Sequence, residues 1–440
     1  MTSTSSVLVI TTQTWLQVTR LAMRFATYGC RISAICPEES HLTYAPGIAE
    51  RFTFHLARPL HALRHAILAS NAEYLLPTDD LSVWFLHELA ESTPGLRDRI
   101  ERSLGSGKFY PILRSRFKLL SLAHQLGISV PKTEWIADIE DLGSWCAPGN
   151  SGFVLKKDGT WGGRGVHRLQ TPTEAHDAFI HLASRTTFSE RMTQWLRNGD
   201  RSAFARLRCL SRPEITAQSF VHGIPANSMY ACHKGRILGE VQARVAASKG
   251  KTGPSLVVQL MNDPRITRAG VQLAGALELS GFFGLDFMLD ARTAEPFLIE
   301  MNPRCTQLGH VAVAGQPDLA GLLWAQWTGA PTPPAGDAHL GSAVCFYPQG
   351  EQWTEATAGF SGCRSDVLAG ETDLLAALAR GNPGPVTMRQ RVWGSLSRLK
   401  QAFGNESLPQ PFYYGNLREA NNAHARPENT ARTAVISFAS

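Results

Sequence analysis

Two neighbouring segments near residue 290 limit the fold of this 440-residue chain more than any other feature. One runs from Gly284 to Asp290 and the other from Phe297 to Arg304, and both have the apolar residue pattern of β-strands. The residues between them, 291–295, are typical of a turn. The two segments are therefore predicted to form an antiparallel hairpin.

The register of this hairpin would bring acidic side chains together. If Asp290 pairs with Pro296, Asp286 lies directly opposite Glu300, and Asn302 shares a strand face with Glu300. Burying two unpaired acids is costly, so an ordinary core hairpin would avoid this arrangement. Carboxylate and amide oxygens are the ligands that Mg²⁺ prefers. The pattern predicts a metal site formed by Asp286, Glu300 and Asn302.

A glycine-rich loop follows a second predicted strand, residues 152–157. It begins near Lys156 and contains Gly162, Gly163, Arg164 and Gly165. A strand follows it, so it is not a P-loop, which opens a helix. Such a loop can fold over phosphates and donate backbone N–H groups, while Lys156 supplies a positive charge. A plain hairpin turn that uses glycine for positive φ stays open as an alternative.

The first part of the chain alternates strands and helices. Val7 to Thr11 is a predicted strand, 15–28 a helix and Arg31 to Cys36 a second strand. This alternation predicts a parallel, doubly wound sheet over about the first 110 residues. No G-x-G-x-x-G sequence follows the first strand, so the sheet is not expected to bind its own dinucleotide.

The composition narrows the class of protein. A net charge of +6 is mild and suits an enzyme of anionic substrates more than a nucleic-acid-binding protein. The eight cysteines form no C-x-x-C pair, which is typical of a reducing compartment. The N-terminus lacks the pattern of a signal peptide, and no apolar run is long enough to span a membrane. We therefore expect a cytoplasmic protein with neither nucleic-acid nor membrane partners.

The order of these motifs resembles the ATP-grasp family. The likeness is greatest to the large subunit of carbamoyl-phosphate synthase and to single-copy carboxylate–amine ligases, and the run 299–304, Ile-Glu-Met-Asn-Pro-Arg, is its most specific element. The resemblance implies an α/β (α+β) ATP-grasp fold with a Rossmann-like parallel-sheet domain at residues 1–110. The ATP-grasp domain would cover 111–330, with a lid at about 150–222, and 331–440 would hold a linker, a small region and a frayed tail.

The resemblance also implies roles for single residues. Those implied for ATP binding are Arg116, Lys156, Gly162, Gly163, Gly165, Gln218, Ser219 and Phe220. Lys118 is an alternative to Arg116. Gln218 stands where the family often has an acid, and its amide oxygen could accept a hydrogen bond from adenine. Ala226 or Asn227 falls where a ribose-binding acid is usual, so the ribose contact stays open.

The resemblance also implies catalytic roles for two cations. Arg304 would steady the transferred phosphoryl group or the acyl phosphate, and Lys156 would contact the phosphates. Asp286, Glu300 and Asn302 match the family's metal ligands, which implies ATP with Mg²⁺, in two ions, as cofactors. Mn²⁺ could replace Mg²⁺.

The resemblance implies an ATP- and Mg²⁺-dependent carboxylate–amine ligase that forms an acyl phosphate and releases ADP and phosphate. The partners would be a small carboxylate, by default an amino acid or small peptide, and an amine. Two alternatives stay open: an enzyme that forms carboxy- or carbamoyl phosphate from bicarbonate, and a non-catalytic nucleotide-binding regulator. A homodimer is one open oligomeric state, and the arginine-rich segment 185–212 is either part of a lid or a solvated insertion.

Overall fold

The computed structural model describes residues 5–146, 152–159, 165–184, 214–250, 253–347, 363–368, 371 and 411–413. Within these ranges the strands form three sheets. No helix in the described part of the chain has the length and apolar character that crossing a membrane would require. Predictions for Gly162, Gly163 and segment 185–212 lie outside the described residues.

The strands are numbered in chain order. They are β1 Ser6–Ile10, β2 Arg31–Cys36, β3 Ile48–Thr53, β4 Tyr74–Pro77, β5 Thr133–Ile136, β6 Phe153–Lys157, β7 Val166–Leu169, β8 Ile215–Ser219, β9 Gly223–His233, β10 Arg236–Lys249, β11 Ser255–Met261, β12 Gly281–Asp290, β13 Pro296–Asn302, β14 Ala343–Cys345, β15 Arg364–Ser365 and β16 Pro411–Tyr413.

The helices are numbered in the same way. They are α1 Gln17–Thr27, α2 Pro59–Ser70, α3 Asp80–Ser92, α4 Pro94–Leu104, α5 Tyr110–Leu113, α6 Arg116–Gln125, α7 Pro172–Ala183, α8 Pro264–Ala276 and α9 Leu319–Thr328.

The first sheet is parallel and has the strand order β3-β2-β1-β4. Residues Val7–Ile10 of β1 are all fully buried, as expected for a strand covered by helices on both faces. Because β2 and β4 lie on opposite sides of β1, the crevice at the carboxyl ends of β1 and β4 is a topological switch point. The predicted parallel sheet at the start of the chain is confirmed.

The second sheet is small and antiparallel, with the order β5-β8-β6-β7. Helix α7 packs on it and begins with a capping box in which Thr171 and Glu174 exchange hydrogen bonds. The sheet begins at Thr133, before the 150–222 segment that the sequence predicts as a lid.

The third sheet is the largest, with the order β13-β12-β9-β10-β11-β14-β15, and β16 also pairs with β10. Strands β14, β15 and β16 come from the segment 331–440. The described strands of that segment extend the large sheet. Strands of two or three residues are too short to show a period-2 pattern.

Helices α1 and α9 lie between the parallel sheet and the large sheet, and they share one apolar core with both. Trp327 of α9 stacks on Phe25 of α1 at 5.4 Å and on Tyr74 of β4 at 4.0 Å, measured between ring centroids. The opposite face of the large sheet packs against α6 and α8. This shared core fixes the carboxyl edge of the parallel sheet relative to β12 and β13.

A buried ion cluster ties Asp366 and Glu371 to α1. Arg20 donates from Nη1 to Asp366 at 2.7 Å and from Nε to Glu371 at 3.0 Å, and all three side chains are at most 1% exposed. His310 Nε2 lies 3.0 Å from the same Asp366 carboxylate. The cluster therefore joins α1, the segment after β13 and the chain around β15.

We predict that Arg20→Ala lowers the free energy of unfolding by about 3–5 kcal/mol, because two carboxylates lose their buried partner. Urea denaturation followed by circular dichroism measures this. The matched control is Arg31→Ala, which removes a half-exposed ion pair with Glu50 and should cost less than about 1 kcal/mol. Equal losses in the two variants would contradict the structural role of the cluster.

Candidate active site

The hairpin of β12 and β13 brings the two predicted acids together. Asp286 lies opposite Glu300, and Gly284 lies opposite Asn302. Because these pairs are two residues apart on each strand, their side chains point to one face of the sheet. The pairing of Asp286 with Glu300 is the one that the sequence predicts.

The turn end of the hairpin differs from the prediction. Pro296 pairs with Leu289 and not with Asp290, so the predicted register is wrong by one residue there. A β-bulge next to Asp286 leaves Ile299 without a partner in the register and restores the predicted pairing beyond it. An extra residue of this kind shifts which side chains face each other. The acid pair therefore depends on the bulge.

Asp286 is half-buried and accepts hydrogen bonds from the Nδ2 atoms of Asn227 at 2.6 Å and Asn302 at 3.0 Å. Burial, followed by the nearby Glu300 charge, raises the pKa of Asp286 to about 6, although the hydrogen bonds from the two amides oppose this rise. Asn227, which the sequence leaves open as a ribose contact, donates to Asp286 in this structure.

Arg116, at the start of α6, bridges two acids from different sheets. Its Nη1 donates to Asp158 at 2.8 Å and its Nη2 to Glu300 at 2.7 Å. Burial opposes the charge of Arg116, but Glu300 and Asp158 outweigh it and raise the pKa. Its Nε is buried and has no hydrogen-bond partner among the described residues, so one donor stays unused.

Lys156, near the end of β6, is buried beside this bridge. Its Nζ donates to Oε1 of Gln218 at 2.6 Å, and Nε2 of Gln218 donates to Thr133 at 3.1 Å. The amide oxygen that the sequence assigns to adenine therefore accepts from Lys156 here. Burial, followed by the charge of Arg116, lowers the pKa of Lys156 to about 8.

The remaining predicted nucleotide contacts within the described residues lie at or next to strand ends of the small sheet. Ser219 donates its backbone N–H to the Lys132 carbonyl at 2.9 Å. The Phe220 ring lies 3.9 Å from the guanidinium carbon of Arg168, which is a cation–π contact. Gly165 closes the described end of the glycine-rich loop at a φ of 72°, and its carbonyl accepts the Lys157 N–H.

Arg304 reaches across to the parallel sheet. It donates from Nε and Nη2 to the two carboxylate oxygens of Asp80 at 2.8 and 3.0 Å, and from Nη2 to Asn302 Oδ1 at 3.0 Å. Asp80 lies in the first turn of α3, directly after β4, at the topological switch point. Burial opposes the charge of Arg304, but Asp80 raises its pKa.

Sequence reasoning missed Asp80 and Asp158 as site residues. Acids that follow a strand of a parallel sheet are a usable signal, and Asp80 has it. Asp158 follows Lys156 in the glycine-rich loop, where its contact with Arg116 could not be seen from spacing.

The oxygen donors at the acid pair fit Mg²⁺. Asp286 and Glu300 are neighbouring carboxylates, and the hydrogen bonds to Asp286 come from the neutral amides of Asn227 and Asn302. The Asn302 oxygen, which the sequence predicts as a metal ligand, accepts from Arg304 in this structure. A cation would relieve the mutual repulsion that raises the Asp286 pKa. Among the described residues, no group of three or more His, Cys, Asp and Glu side chains is arranged for a metal.

Comparison with known proteins identifies the fold. No protein-family model matches the sequence, and no curated protein matches it. The structure is similar to carboxyaminoimidazole ribonucleotide synthase from Aspergillus clavatus complexed with ATP, with a TM-score of 0.56 and 13% identity over 78% of this chain and 81% of that one. The chain has the ATP-grasp fold.

Two further ATP-grasp structures show the same likeness. The biotin carboxylase domain of 2-oxoglutarate carboxylase from Hydrogenobacter thermophilus, in complex with MgADP, ADP and bicarbonate, has a TM-score of 0.56 and 15% identity over 77% of this chain and 73% of that one. N5-carboxyaminoimidazole synthetase from Staphylococcus aureus, complexed with ADP, has a TM-score of 0.54 and 12% identity over 77% and 80%.

The pKa of Lys156 gives a pH test of nucleotide binding. Its ammonium charge is lost as the pH rises through about 8. We predict that the dissociation constant for a non-hydrolysable Mg²⁺–ATP analogue rises by about tenfold per pH unit above that value, because a lysine that must be protonated for binding costs about 1.4 kcal/mol per unit. Isothermal titration calorimetry on both sides of this pH measures it.

Lys156→Met should bind more weakly and lose the pH dependence. The matched control is Lys157→Met, which removes the same charge from the next residue, whose Nζ donates to the Leu182 carbonyl. If Lys156→Met keeps the wild-type pH dependence, Lys156 does not contact the nucleotide.

Proposed function

We propose that the protein is an ATP- and Mg²⁺-dependent carboxylate–amine ligase that works through an acyl phosphate. The observation that carries the proposal is the meeting of Asp286 and the partly exposed Glu300 with Arg116 and the buried Lys156 in one cluster. Arg304 is a third cation near this cluster, after Arg116 and Lys156. An ATP-grasp fold whose neighbours are complexed with ATP or ADP supports the same conclusion.

Each part of the cluster has a place in this proposal. Asp286, Glu300 and Asn302 would hold Mg²⁺, in two ions, and Mn²⁺ could replace Mg²⁺. The ions offset the charge on the β- and γ-phosphate oxygens. Arg116 and Lys156 now bond to protein acceptors, Glu300, Asp158 and Gln218, and these donors would turn to the phosphates when ATP binds.

The reaction consists of two transfers. A carboxylate oxygen of the acid attacks the γ-phosphorus, the bond to the β-phosphate oxygen breaks, and ADP leaves. The amine nitrogen then attacks the acyl carbon, phosphate leaves with the bonding electron pair, and the proton lost by nitrogen can pass to phosphate. Arg304 would bind the negative oxygens that persist through both transfers.

Acyl phosphates hydrolyse readily, so the site needs a cover. In our proposal the small antiparallel sheet supplies it, with the glycine-rich loop that includes Gly162, Gly163 and Gly165.

The same proposal includes domain limits at 110 and 330, a homodimer and a cytoplasmic location. It also covers the identities of the acid and the amine. An amino acid or small peptide is the first acid to test.

The decisive variant is Glu300→Gln. It keeps the size of the side chain but removes one carboxylate of the acid pair, and we predict that ADP release falls by at least about a hundredfold. A coupled ADP assay with Mg²⁺–ATP and a panel of amino acids and amines measures this. The wild type should release ADP only when both an acid and an amine are present.

The matched control is Glu295→Gln, the same change in the loop of the same hairpin. Glu295 bonds to Ser129 and Arg265, and its loss should leave turnover unchanged. Wild-type turnover in Glu300→Gln would refute the proposal.

A second candidate activity uses bicarbonate as the carboxylate, forming carboxyphosphate. The observation in its favour is the set of structural neighbours, which includes carboxyaminoimidazole ribonucleotide synthase and a biotin carboxylase domain with bound bicarbonate. ADP release in CO₂-free buffer, with and without added bicarbonate, separates the two activities. Release that requires bicarbonate and no other acid would favour this candidate.

A further inference from the structure

The donors of Arg304 are unevenly used. A guanidinium has five N–H bonds. Nε and Nη2 donate to Asp80, and Nη2 also donates to Asn302, so these two nitrogens are fully used. Nη1 has one long contact, 3.4 Å to the Cys305 carbonyl. The end of Arg304 that can still bind an anion is therefore Nη1.

The backbone next to Asp80, which binds Arg304, is held by hydrogen bonds of the neighbouring residue. The preceding Asp79 caps α3, and its carboxylate accepts from the backbone N–H of Thr12 at 2.6 Å, from the Thr12 hydroxyl at 2.8 Å and from the Ser82 N–H at 3.0 Å. These bonds fasten the first turn of α3 to the chain that leaves β1. Asp80 therefore offers its carboxylate from a fixed position.

The segment between β1 and α1 makes a second contact with the same guanidinium. The Trp15 ring lies 5.7 Å from the guanidinium carbon of Arg304. The side chain of Arg304 is 9% exposed and that of Asp80 is 34% exposed, so the pair has a buried cation and an acid at its open side. The orientation of Arg304 thus depends on residues far away in sequence.

We infer that Asp80 is a positioning residue. It accepts hydrogen bonds from Nε and Nη2 of Arg304, so that Nη1 faces the transferred phosphoryl group or the acyl phosphate. This inference rests on the proposed ligase function. A two-pronged Arg–carboxylate pair fixes both the position and the plane of the guanidinium. Without it, Arg304 keeps its charge but loses its orientation, and a small misplacement of a catalytic group is costly.

The test is Asp80→Asn, with Arg304→Gln and the double variant completing a double-mutant cycle. In the ADP assay with the substrates that the wild type turns over, Asp80→Asn should lower kcat by about a hundredfold and leave KM for ATP unchanged. On the Arg304→Gln background, Asp80→Asn should cause no further loss, because Asp80 acts through Arg304. Equal effects on both backgrounds, or an unchanged kcat, would overturn the inference.

The matched control is Glu91→Gln. Glu91 lies on the same helix and pairs with Arg114 at 3.1 Å, so the change removes one acid from one ion pair away from the site. It should leave kcat unchanged. Thermal unfolding is measured for every variant, and Asp80→Ser replaces Asp80→Asn if the latter does not fold.

A second readout separates this inference from the proposed function. The Nε–H of a tightly paired, buried arginine exchanges slowly and gives a sharp NMR resonance. The Arg304 resonance, assigned through Arg304→Gln, should be sharp in the wild type and in Glu91→Gln, and lost in Asp80→Asn. If the wild type releases no ADP with any substrate tested, the proposed function fails. A resonance that persists in Asp80→Asn overturns the positioning role, whether or not ADP is released.

Discussion

Arg116 joins three parts of the chain through two ion pairs. It begins α6, and it binds Asp158 at the end of β6 and Glu300 on β13. Carboxylates that are removed from water need cations or hydrogen bonds to compensate them, and Arg116 compensates the buried Asp158 and the partly exposed Glu300. Because both partners need this one cation, the small sheet and the large sheet are held at a fixed distance. The site exists where they meet.

The same requirement explains the residues around it. Burial raises the pKa of Asp286, although two amides donate to its carboxylate. Burial beside Arg116 lowers the pKa of Lys156. Opposite pKa shifts of this size within one cluster are typical of functional sites, where a ligand supplies the missing charges. A Mg²⁺–ATP complex has both the cation that Asp286 lacks and the anions that Lys156 lacks. The cluster is thus complementary to such a ligand.

The parallel sheet contributes to the site without joining either of the other sheets. Its carboxyl edge supplies Asp80, which holds Arg304, and α1 supplies Arg20, which holds the chain around β15. The shared apolar core of α1 and α9 keeps both contacts in place. The distance between the acid pair and the edge of the parallel sheet is therefore set by packing, and Arg304 spans it.

Local patterns in the sequence were enough for the parallel sheet and for the pairing of Asp286 with Glu300. The pairing came out correctly although the predicted turn was wrong by one residue, because a bulge at Ile299 compensated the shift. Bulges leave little trace in a single sequence. Partners that meet across distant segments, such as Asp158 with Arg116 or Lys156 with Gln218, could not be predicted, because no periodicity relates them. The pairing of the short strands β14 to β16 could not be predicted for the same reason.

The central claim is that the acid pair and the cations beside it form one site for a metal–nucleotide complex. A crystal structure with Mg²⁺ and a non-hydrolysable ATP analogue tests this most directly. The account predicts an ion bonded to Asp286 and Glu300, with the phosphates of the analogue against Lys156 and Arg116. Nucleotide bound elsewhere, or an acid pair that still bonds only to Arg116 and the two asparagines while the nucleotide is present, would contradict it.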